Sequence, residues 1–87
     1  MANTAQVEHE ISLLKNFIQK LGKPNSNGKY QTTFGELFRS DEVQNTLESL
    51  AGTLKAAKRR KVVSYAAELL LQGTSDNEVI TLEKVDD

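Results

Sequence analysis

Glu68-Leu69-Leu70-Leu71-Gln72-Gly73-Thr74-Ser75-Asp76-Asn77-Glu78-Val79-Ile80-Thr81-Leu82 is the stretch that decides the fold class. Glu68–Gln72 is an apolar run of strand length, Gly73–Asn77 is turn chemistry, and Glu78–Leu82 is rich in β-branched residues. Read together they form a C-terminal β-hairpin. Upstream, Val62-Val63-Ser64-Tyr65 and Tyr30-Gln31-Thr32-Thr33 are also β-prone. A closing hairpin behind amphipathic helices predicts an α+β domain, winged-helix-like, with three or four helices and a small antiparallel sheet.

The helices follow from periodicity. Val7, Ile11, Leu14, Ile18 and Leu21 recur at spacings of 4, 3, 4 and 3, with Leu13 and Phe17 widening the stripe, which predicts a helix from about Thr4 to Leu21. Gly22 stops it, Pro24 prevents its continuation, and Gly22–Lys29 reads as a loop. Phe34–Arg39 reads as a brief helix, with Thr33 and Glu36 in capping-box positions. Phe34 and Phe38 flank Leu37 and belong to the core in this reading. Ser40 and Asp41 resemble a second helix start. Val43, Leu47, Leu50, Leu54 and Ala57 repeat the 4, 3, 4, 3 spacing and share one face of a helix over about Asp41–Arg60. Gly52 costs that helix about 1 kcal/mol relative to alanine. The segment therefore reads either as one helix or as two with a bend or turn near Gly52.

The chain has 87 residues, enough for one small domain spanning 1–87, with about 1–6 and 84–87 expected to fray. A chain this short buries roughly 60–65% of its extended surface, which leaves little room for a deep enclosed active site. With no cysteine, disulfides, thiolate chemistry and cysteine-ligated metals are excluded. No apolar run approaches the roughly 18 residues of a membrane span. Met1–Gln6 lacks a basic start and a hydrophobic segment, so no signal peptide is expected and the cytoplasm is the expected compartment.

Catalysis finds little support in the residues. The single histidine, His9, lies on the outer side of the first predicted helix, with only Glu8, Glu10 and Ser12 near it in sequence. The sequence has no P-loop, dinucleotide-binding glycine fingerprint or zinc motif. A non-enzymatic protein without metal or cofactor is expected.

The informative feature is charge placement. Eleven Lys/Arg and twelve Asp/Glu give a net charge of −1. Yet Lys55, Lys58, Arg59, Arg60 and Lys61 put five cations into seven residues, whereas residues 68–87 hold six acids and one lysine. The molecule should be electrically lopsided. Cations at a helix C-terminus gain about 0.3–1 kcal/mol from the macrodipole, and like charges at i, i+4 cost about 0.2–0.5 kcal/mol. Stability thus neither requires nor forbids the run. Those five residues are the candidate partner-binding site. A winged helix with a basic helix suggests nucleic acid. The net charge and the acidic Asp76 and Glu78 at the predicted hairpin tip weigh against this, and an acidic protein surface is the competing target; composition does not decide between the two.

Phe34-Gly35-Glu36-Leu37-Phe38, Leu47–Val63 with its Gly52-Thr53-Leu54-Lys55-Ala56-Ala57-Lys58 block, Glu68–Gly73 and the opening His9-Glu10-Ile11 to Leu21-Gly22-Lys23 closely resemble the costars family. The resemblance covers about residues 7–82, with departures at Leu47, Ala51 and Ala67 that look like packing or turn changes. Small costars proteins are similar to the C-terminal actin-binding domain of the striated-muscle activator of Rho signalling. The resemblance implies a winged-helix-like fold and a role in actin dynamics and cell motility, either on actin itself or through an actin-associated protein such as cofilin. The expectation is a monomeric, cytoplasmic, cytoskeleton-associated regulator, with nucleic-acid binding as the alternative and no membrane association.

Overall fold

A computed structural model describes residues 4–71 and 73–84. Of the fraying expected at about 1–6 and 84–87, residues 1–3 and 85–87 lie outside the described residues, and 4–6 belong to the first helix. Helix α1 (Thr4–Leu21) is followed by strands β1 (Lys23–Pro24) and β2 (Tyr30–Thr33). Helices α2 (Phe34–Arg39), α3 (Asp41–Thr46) and α4 (Leu50–Arg59) come next, and then strands β3 (Val63–Ser64) and β4 (Val79–Leu82). The fold is α+β, with four helices and one small antiparallel sheet in the order β1-β2-β4-β3.

The α1 stripe buries Ile11, Leu14, Phe17 and Ile18, with Val7, Leu13 and Leu21 packed at its margin. Gly22 follows the helix where the β2 backbone passes against it: a Cβ at this position would collide with the Gln31 carbonyl oxygen. The following loop turns on Asn25, whose Oδ1 accepts from the backbone N–H groups of Asn27 and Lys29.

At the β2–α2 junction the Thr33 hydroxyl accepts from the Glu36 backbone N–H, as the capping positions predict. The Glu36 carboxylate instead accepts from the Thr32 hydroxyl at 2.9 Å. The free N–H groups of Phe34 and Gly35 donate across the fold to the Glu78 and Asp76 carbonyls. Phe34 and Leu37 are buried, and the Phe34 and Phe38 rings pack at 5.9 Å.

The two-helix alternative for 41–60 is the one adopted, and the break lies at Leu47–Ser49, ahead of Gly52. Leu47 is extended (φ −97°, ψ 136°), and Ser49 caps α4 by accepting from the Gly52 N–H at 3.1 Å. Gly52 is therefore a first-turn residue of α4. Val43, Leu47, Leu50, Leu54 and Ala57 are nevertheless all buried, so the stripe survives the interruption.

The last two strands are antiparallel neighbours, with Val63 opposite Leu82 and Ser64 opposite Thr81. The first arm is thus Val63–Ser64; the expected arm at Glu68–Gln72 makes no strand among its described residues. Strand β4 is already flanked by β2 on its other edge, and the described residues between β3 and β4 form an irregular excursion. Side chains supply what a ladder would have supplied. The Glu78 carboxylate accepts from the Ala66 and Ala67 N–H groups, Ser75 Oγ accepts from Leu71 N–H, and Asp76 accepts from Gly73 N–H. Only Leu70 of the three leucines is buried, and Leu69 and Leu71 face outward.

Candidate functional site

The basic run occupies the last turn of α4 and the turn that leaves it. Lys58 and Arg59 sit in the final helical turn, where cations complement the helix dipole. The helix closes through a Schellman arrangement: Val62 N–H donates to the Ala57 carbonyl at 2.9 Å and Lys61 N–H to the Lys58 carbonyl at 3.0 Å. Val62 and Ala57 are both buried in the same core cluster. The motif requires a left-handed residue between the helix and Val62. Here that residue is Lys61, at φ +60°, where glycine is usual.

The five cations separate into two groups. Lys55, Arg59 and Lys61 are exposed, and no carboxylate among the described residues pairs with them. Lys58 turns inward. Its ammonium lies 4.3 Å from the centre of the Tyr65 ring and donates to the Ala67 carbonyl at 3.1 Å. That contact ties α4 to the segment after β3. Burial, and secondarily the Glu78 carboxylate, raises the Tyr65 hydroxyl pKa, so the ring stays neutral beneath the ammonium. Arg60 is exposed too, but its guanidinium lies 3.8 Å from the Glu8 carboxylate on α1. That separation is too long for a hydrogen bond.

Beside these cations, α1 and α4 leave an open cleft lined by Val7, Gly52, Lys55, Ala56, Arg59 and Arg60. The pairing of Lys58 with Tyr65 and of Arg60 with Glu8, and the part played by Val7, are absent from the sequence reading. Sequence spacing carries no signal for contacts between α1 and the end of α4. Gly52 and Ala56, four apart, are the one local sign of a small-residue face there.

The family model that matches is Costars, over residues 6–83. The chain belongs to the Costars family. Costars family protein ABRACL of Mus musculus is 55% identical over 76 residues, covering 87% of this chain and 94% of the relative. A Costars family protein of Oryza sativa subsp. indica is 53% identical over 76 residues, 87% of each chain. The solution structure of human HSPC280 protein superposes with a TM-score of 0.81 at 52% identity, covering 90% of this chain and 92% of that one. The fold of this chain is therefore that of the Costars family.

Proposed function

We propose that this Costars protein is a non-enzymatic regulator of actin dynamics and cell motility. It acts in the cytoplasm as a monomer at the cytoskeleton, without a cofactor. Its basic helix end docks on an acidic surface of actin or of an actin-associated protein such as cofilin. The observation that carries the reading is the exposed trio Lys55, Arg59 and Lys61, which lacks internal carboxylate partners among the described residues. The actin side of the reading comes from the family resemblance. Arginine supports paired, planar contacts with carboxylates and lysine a point charge. Exposed pairs contribute about 0–1 kcal/mol each, so the trio governs encounter rate and orientation more than final affinity.

Parallel titration of filamentous actin, cofilin and duplex DNA, each at low and physiological salt, tests this reading. Salt-weakened retention on actin or cofilin is expected. Tight DNA binding with a steep salt slope, and no retention on either protein, overturns it in favour of nucleic-acid binding.

A further inference from the structure

The cleft beside the cations does not end at Arg60. A second depression, lined by Glu10, Glu48, Ser49 and Thr53, shares Val7, Gly52 and Ala56 with it, so the two form one continuous groove between α1 and α4. Its floor is small and apolar, one mouth is cationic (Lys55, Arg59, Arg60) and the other carries Glu48. Glu10 is engaged by the Thr53 hydroxyl at 3.0 Å. Beyond α4's own backbone and the adjoining residues, only the Ser49 side chain lies within 4 Å of where a Gly52 Cβ would stand, so the absent side chain leaves space in the groove.

From these features we infer that the α1–α4 groove is a docking seat for one face of an acidic α-helix of a partner protein. An apolar side chain of that helix rests on Val7, Gly52 and Ala56, and its carboxylates meet Lys55, Arg59 and Arg60. The inference rests on the proposed docking reading and adds the partner's chemistry. Charge complementarity selects the occupant. Lys55 and Arg59, one turn apart on α4, match carboxylates spaced three or four residues apart on a facing helix. Ser49 to Arg59 spans about 15 Å, close to three turns of a helix laid alongside. Arg60 already takes a carboxylate from Glu8 at a loose 3.8 Å, which an incoming glutamate replaces with a hydrogen-bonded one. The apolar floor and the Glu48 mouth disfavour a phosphate backbone.

The whole isotope-labelled protein is titrated with a 15-residue alanine-based helical peptide that carries one leucine followed by glutamates at i+4 and i+8. A glutamine counterpart serves as control. Backbone amide shifts at residues 7, 52 and 56 are expected together with those at 55, 59 and 60, for the glutamate peptide alone. Shifts confined to the cations, shifts elsewhere, or none up to millimolar peptide overturn the inference. Val7→Gln is expected to weaken both peptide binding and retention on actin or cofilin about three- to tenfold. Loss of actin and cofilin retention on reversing the cations, with none from Val7→Gln, removes the groove and leaves the proposed function standing. Peptide bound in the groove of a protein that neither actin nor cofilin retains does the reverse.

Discussion

Lys61 holds a left-handed backbone that costs an L-residue with a side chain about 1–2 kcal/mol and glycine almost nothing. The Schellman closure of α4 imposes that conformation, because Val62 must swing back to bond the Ala57 carbonyl. A charged side chain at this point therefore works against stability. Lys61→Gly is expected to stabilise the fold by about 0.5–1 kcal/mol, the penalty being partly offset by the greater freedom of glycine in the unfolded chain. In thermal denaturation this reads as a rise of roughly 2–8 °C for a domain of this size. The same variant removes one of the three exposed cations of the basic run that have no carboxylate partner among the described residues, and should weaken retention on actin or cofilin. Greater stability with undiminished retention would separate Lys61 from the docking surface. The basic cluster itself was legible in the sequence because charge needs no fold to be counted. The division of its members was not: whether Lys58 faces solvent or Tyr65 depends on where the segment after β3 returns, which helical spacing does not contain.

At the level of elements, periodicity located what repeats and missed what is held by single contacts. Helix α1 and the five-residue stripe Val43–Ala57 were legible because burial recurs every three to four residues. The α3–α4 break was not, because the stripe continues through it while one serine hydroxyl restarts the helix. The three leucines at 69–71 mimic a buried strand, yet β4 pairs with β2 and β3, and the carboxylate of Glu78 secures the intervening backbone. A second carboxylate joins three strands. Glu83, just past β4, accepts from Lys29 Nζ ahead of β2 at 2.5 Å and from the Ser64 hydroxyl on β3 at 2.6 Å. The hydrogen bond from Lys29, followed by that from Ser64, holds its pKa below the usual carboxylate range. A folded-state pKa below the unfolded one means the stabilisation is present above the unfolded glutamate value, about 4.3, and is lost as pH falls through the lower folded value. Glu83→Gln should therefore be less stable than the parent at pH 7 by up to about 1 kcal/mol, since both side chains are partly exposed. Urea midpoints of the two proteins should converge below about pH 4. A gap that persists unchanged at pH 3 would show that the carboxylate charge is not its source.

Across the whole molecule, a net charge of −1 conceals an asymmetry in how the charges are used. Of the acids in the C-terminal region, Asp76, Glu78 and Glu83 bind the chain's own donors. At the end of α4, Lys55, Arg59 and Lys61 have no carboxylate partner among the described residues. Folding thus consumes negative charge in one region and leaves positive charge free in another, which gives one end of the molecule a positive field. Replacing Lys55, Arg59 and Lys61 together by glutamate shifts the net charge from −1 to about −7, two units at each of three positions, while leaving every described internal ion pair in place. The loss of favourable helix-dipole contacts, about 0.3–1 kcal/mol each, is opposed by relief of repulsion within the cluster. The variant should remain folded, with its urea midpoint lowered by no more than about 1–2 kcal/mol equivalent. Its retention on actin and cofilin at low salt should fall below that of the parent at physiological salt, because reversal replaces attraction with repulsion whereas salt only screens it. Unchanged retention by a folded variant would mean that the partner is held through apolar surface alone, and the cationic end of α4 would be a solvated helix terminus.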